Sequence, residues 1–114
     1  TGSNILINNT TGLNNSALGY SSLRNNTSGK QNSAVGSYAL WYNTTGNDNT
    51  ALGFESLKYN TTGSNNTAIG NQSMKANTTG GFNTAIGDGA QLANSTESYN
   101  VSNGNGTLNC ANRW

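Results

Sequence analysis

The sequence predicts an all-β protein, a parallel β-solenoid (β-roll) wound in 17-residue coils, and three observations carry that reading. Gly19, Gly36, Gly53, Gly70 and Gly87 stand 17 residues apart, with Gly2 and Gly104 in the same phase. A second series, Gly12, Gly29, Gly46, Gly63 and Gly80, has the same period, and self-similarity at one short period is the signature of stacked repeats. No apolar i, i+3, i+4 pattern survives the glycines, which removes the helical alternative.

The unit reads N-[ST]-A-[ILV]-G-x-x-[SA]-[LM]-x-x-N-T-[TS]-G-x-x, and each part has a structural expectation. "NTAIG" and its equivalents predict a short strand, because small and β-branched residues run up to a glycine. "SLKYN", with "SLRNN", "ALWYN" and "SMKAN", predicts a second extended segment. The Asn-Thr-Thr-Gly that follows is turn chemistry, since Asn tolerates left-handed backbone and Gly adopts it freely. Within the strand, alternation sends Ala85 to one face and Ile86 to the other. Both faces are then small or apolar, the pattern of a strand covered on both sides. A narrow coil has one interior, so burial between chains is the expected source of the second cover. Leu52 and Leu57 are expected to supply the large aliphatics of their coil.

Stacking explains what repeats and what varies. Equivalent positions of successive coils lie about 4.7 to 4.9 Å apart, so interior and turn positions must match their counterparts. Asn26, Asn43, Asn60, Asn77 and Asn94 are expected to form one ladder, and Asn15, Asn32, Asn49, Asn66, Asn83 and Asn100 another, with amides bonded along the axis. Phe54/Asn71 and Glu55/Gln72 change from coil to coil and are expected to face water. After Gly87 the pattern decays: Gln91 replaces Leu/Met, Glu97 replaces glycine and Ser102-Asn103 replaces Ala-Ile. Terminal repeats diverge because the last coil closes an open edge. The division is therefore residues 1–104 as repeats and 105–114 as a cap, neck or tip.

Composition narrows the function. Only 8% of residues are charged and the net charge is +1, too little basic surplus for nucleic acid. No apolar run approaches the ~20 residues of a membrane span. The sequence has no His, which removes His-dependent nucleophilic triads. Asp48, Glu55, Asp88 and Glu97 occupy different repeat positions, an arrangement that predicts no paired-carboxylate catalyst. No phosphate loop or clustered metal ligand set stands out, so no enzyme, metal or cofactor is expected. Thr1 is not Met and no signal-type segment follows, which reads as a piece of a longer protein. Asn-x-Ser/Thr triplets arise automatically in such a repeat and do not by themselves indicate glycosylation.

The repeated "NSALG", "NSAVG", "NTALG" and "NTAIG" resemble the core motif of the left-handed parallel β-roll in trimeric autotransporter adhesin heads. Units of the "NTALGFESLKYNTTGSN" kind are also similar to repeats of bacteriophage tail fibres and bacterial surface fibres. The resemblance runs over roughly residues 1–104, with a unit a few residues longer than the adhesin-head repeat. It implies a homotrimer with the NTAIG strands at the shared core, an extracellular place on a cell surface or virion fibre, and a role in attachment to a host or cell-surface glycan or other receptor.

Candidate contact residues are Trp41 and the basic residues that share its column, Arg24, Lys58 and Lys75. An indole beside cations either stacks on a sugar ring or lies as an amphipathic side chain on the roll. Tyr42 and Tyr59 are in phase and are expected to stack. Cys110 is a candidate interchain disulfide or a free thiol. Two further readings stand beside the adhesive rod: a filament subunit whose open coil ends stack, and an ice-binding solenoid using the column Thr27, Thr44, Thr61 and Thr78.

Overall fold

The computed structural model describes residues 3–107. It is a parallel β-solenoid of 17-residue coils, with one strand per coil: β1 (Ser16–Leu18), β2 (Ser33–Val35), β3 (Thr50–Leu52), β4 (Thr67–Ile69), β5 (Thr84–Ile86) and β6 (Val101–Asn103). The strands make one sheet in sequential order. Every pairing is parallel with a shift of 17, as in Ala51↔Ala68 and Leu52↔Ile69. The molecule measures 38 × 21 × 16 Å.

The second extended segment is not a strand. Residues 54–59 and their equivalents form turns, because the backbone there enters the left-handed region twice per coil. Glu55 has φ 57° and Leu57 φ 51°, and the same holds at Gln72 and Met74. Left-handed backbone costs an ordinary residue about 1–2 kcal/mol. It bends the chain tightly enough to aim the Leu side chain inward.

The interior is one residue wide on each side. Ala34, Ala51, Ala68 and Ala85 point in from the sheet and are fully or almost fully buried, facing the buried column Leu23, Leu40, Leu57 and Met74. Leu52, on the strand face opposite Ala51 as alternation predicts, points outward and is 46% exposed. A coil this narrow holds one large side chain, so alternation leaves the second outside. Serines bridge the remaining gap: Ser56 Oγ donates to the Ala68 carbonyl at 3.0 Å and Ser73 Oγ to Ala85 at 3.1 Å.

Asparagine satisfies the backbone that the short strands cannot. Asn43 Nδ2 donates to Asn26 Oδ1 at 2.8 Å, and the bond repeats from Asn60 to Asn43 and from Asn77 to Asn60. The same amides donate to the glycine carbonyl three residues on, as Asn60 does to Gly63 at 2.9 Å. In the other column Asn49 N–H donates to Asn32 Oδ1 at 3.0 Å while Asn49 Nδ2 donates to Gly63 O at 2.8 Å. These side chains are fully buried from Asn26 to Asn94 and from Asn32 to Asn83. A buried amide with its partners met is compatible with a core; the first ladder breaks above Asn77, where Asn94 Nδ2 turns to Gln91 Oε1 and leaves Asn77 Oδ1 without a partner. Burial also withdraws the recurring triplets at Asn43 and Asn60 from modification of the folded chain.

The glycines are required by the coil above. A Cβ on Gly63 would lie closer than 3.0 Å to both Asn60 Oδ1 and the Gly80 carbonyl oxygen. Position 97 of the same column is Glu, and it belongs to the last described coil. The other departures there act together. Gln91, fully buried in the leucine column, donates through Nε2 to Thr84 O at 2.9 Å and to Ser102 Oγ at 3.3 Å. Its Oε1 accepts from Asn94 Nδ2 at 3.3 Å. The apolar column thus ends in a hydrogen-bonded polar layer.

Candidate functional site

Two surface features stand apart from this uniform scaffold. The first is the outer face of the sheet. Leu18, Val35, Leu52, Ile69 and Ile86 form one column there, and four of them are 39–46% exposed. Ser16, Ser33, Thr50, Thr67 and Thr84, two residues earlier in each strand, form a parallel column. No charged residue lies in any of the six strands. Aliphatic side chains aligned on a flat, uncharged face form an apolar stripe, the kind of surface that marks an interaction site.

The second feature is an aromatic cluster on the turn flank of coils two to four. Tyr20, Tyr38, Phe54, Trp41, Tyr42 and Tyr59 stand in four different columns, yet they touch. Tyr38 lies 5.6 Å from Tyr20, 6.2 Å from Phe54 and 4.8 Å from Trp41, centroid to centroid. Trp41 is 4.7 Å from Tyr42, and Tyr42 stacks on Tyr59 at 5.4 Å and 14°. Sequence spacing did not reveal this group, because its members alternate between neighbouring columns. The usable signal was their concentration within residues 20–59.

Lys58 ties the cluster to a buried carboxylate. Its Nζ sits 5.4, 5.0 and 5.2 Å from the Tyr38, Trp41 and Tyr59 ring centroids and 2.9 Å from Glu55 Oε2. Lys75 reaches Glu55 Oε1 at 2.9 Å, and Gln72 Nε2 donates to the same oxygen at 2.9 Å. Glu55, expected to face water, is therefore buried; its left-handed backbone turns the side chain along the column onto three donors. Burial pushes its pKa up, but the bonds from Lys58, Lys75 and Gln72 prevail and hold it at about 2. Burial likewise lowers the Lys58 pKa, and Glu55 overcomes this to raise it.

The four residues chosen from sequence thus differ in what they present. Trp41 is half-buried, its ring held between Tyr38 and Tyr42. Lys58 and Lys75 share the single Glu55 carboxylate rather than standing free in solvent, which leaves the trio with one surplus positive charge. Arg24 is half-buried, and its Nε and the Trp41 Nε1 are enclosed without acceptors. The open aromatic surface belongs instead to Phe54, Tyr20, Tyr59 and Tyr42. Thr27, Thr44, Thr61 and Thr78 are half-buried, and their hydroxyls donate to the carbonyl of the next coil, as Thr44 Oγ1 does to Thr61 O at 3.2 Å. Cys110 lies outside the described residues.

Among the described residues there is no cavity, no cluster of three potential metal ligands, and no helix long and apolar enough to cross a membrane. Comparison with protein-family models, with characterised proteins and with solved structures finds no match.

Proposed function

We propose that this chain is a structural and adhesive module: a rigid rod segment of a cell-surface or virion fibre, built as a homotrimer around the outer faces of its sheets. The observation that carries the reading is the aliphatic column Leu18, Val35, Leu52, Ile69 and Ile86, held in register over five coils on an uncharged face. At ~4.8 Å per coil the stripe is about 20 Å long. Three copies around a common axis cover it by closed symmetry, with the Ser/Thr column at its margin. The resemblance of the NTAIG repeats to trimeric adhesin heads and fibre repeats supports the same arrangement.

The aromatic flank lies on turns rather than on the sheet, so association through the sheet leaves it accessible. Its exposed Phe54, Tyr20, Tyr59 and Tyr42 rings suit the apolar faces of a glycan or a receptor surface. The test is the native mass. Sedimentation equilibrium should give three 11.8 kDa chains, and Leu52→Glu with Ile69→Glu should give a folded monomer with unchanged circular dichroism. A stable wild-type monomer at micromolar concentration would refute the trimer.

A further inference from the structure

The few basic residues of this chain are gathered on the aromatic flank. Arg24, Lys58 and Lys75, three of the five Lys and Arg residues, share one column with Trp41 at the 17-residue spacing. Among the described residues Glu55 is the one acid paired with any of them. Three cations against one carboxylate leave two positive charges on this flank, whereas the whole chain carries +1.

The surplus sits toward one end. Lys58 and Lys75 hold Glu55 in the coils beyond Trp41, both at 2.9 Å. Arg24, at the other end of the column, has no carboxylate partner among the described residues. Its Nε and the Nε1 of Trp41, one coil on, are enclosed donors without acceptors. Asp88 shares the column of Tyr20 and Phe54 but stands two coils beyond Phe54, away from Arg24, where it accepts from Asn71 Nδ2 at 3.2 Å. The Arg24 end is therefore positive and unopposed.

Exposed rings lie beside it. Tyr20 stands four residues before Arg24, Tyr42 flanks Trp41 in the next coil, and Phe54 and Tyr59 follow one coil further. Contacts among the rings, such as Tyr20 with Tyr38 at 5.6 Å and Tyr42 with Tyr59 at 5.4 Å, hold them in place before any ligand arrives. Little ordering is then lost on binding. From Arg24 to Tyr59 the flank spans two coils, ~10 Å. Aromatic faces accept the apolar faces of sugar rings, and a guanidinium beside them accepts a carboxylate.

We propose that the aromatic flank binds an acidic glycan, a short oligosaccharide whose carboxylate meets Arg24 and whose sugar rings lie on Tyr20, Tyr42, Phe54 and Tyr59. The inference rests on the adhesive reading of this flank and adds the ligand's charge to it. Trimer formation through the sheet is independent of it.

The probes are a hyaluronan tetrasaccharide, whose glucuronates carry carboxylates, and its carboxyl-reduced form, each titrated calorimetrically into the full chain. The acidic form should bind about tenfold tighter at 50 mM salt, and most of that advantage should vanish at 500 mM. Arg24→Gln should bring the two forms to within about twofold of each other. Phe54→Ala with Tyr59→Ala, both on exposed rings, should weaken both forms about tenfold. Equal binding of the two forms by the wild type, or an advantage untouched by salt or by Arg24→Gln, would overturn the acidic assignment while leaving a glycan site in place. Binding of neither form would overturn the glycan reading as well.

Discussion

Replacing Gly63 by alanine tests the stacking argument most directly, because the methyl group has nowhere to go. Its Cβ would intrude below 3.0 Å on Asn60 Oδ1 and on the backbone carbonyl of Gly80, and would sit 3.0 Å from Asn77 Nδ2. Relief requires either parting two coils or turning Asn60 out of its ladder. The second route breaks bonds to Asn43, Gly63 and Asn77 at 2.8, 2.9 and 2.8 Å. Two or three buried polar groups left unmet, at ~1–3 kcal/mol each, give a loss of about 3 kcal/mol or more. Gly89→Ala is the control: nothing lies within 4 Å of its Cβ, but φ is +66°. Left-handed backbone alone predicts a loss of about 1 kcal/mol there. Urea denaturation followed by circular dichroism measures both. Equal losses at the two sites would show that coil contact is not what excludes side chains from the Gly63 column.

Acid should weaken the fold through Glu55. Its folded pKa of about 2 lies below the ordinary 4.5, so the stabilisation is complete above pH 4.5 and drains away as pH falls toward 2. The contribution is on the order of 2 kcal/mol, allowing for solvent near the pair. Glu55→Gln should flatten that limb of the stability-against-pH curve, and an unchanged curve would show the carboxylate to be idle. Leu57→Ala removes the only large apolar side chain of its coil interior and should cost about 3 kcal/mol by the same denaturation assay. Leu52→Ala, on the outer face, should cost an isolated chain less than about 1 kcal/mol but loosen the proposed trimer, which separates the roles of the two leucines.

The period, the strand at NTAIG, the paired asparagine columns and the glycine spacing were legible in the residues, because stacking forces each coil to match its neighbours. The decay after Gly87 was legible as a change in the repeat, though not as the polar layer that Gln91 and Ser102 build. Position in the period, however, fixes only which residues lie over one another. It does not say which way the backbone turns between strands, and that is where the reading failed. Left-handed residues at Glu55 and Leu57 convert an expected second strand into a bend, narrow the interior to one large side chain, and leave Leu52 outside.

The same bends bury Glu55 and bring Tyr20, Tyr38, Phe54 and Trp41 together across columns. Local sequence thus determined the winding and its pitch, a property of neighbours one coil apart. Only the tertiary structure decided the coil's cross-section, since that depends on φ at positions where a left-handed Glu or Leu carries no mark in the sequence.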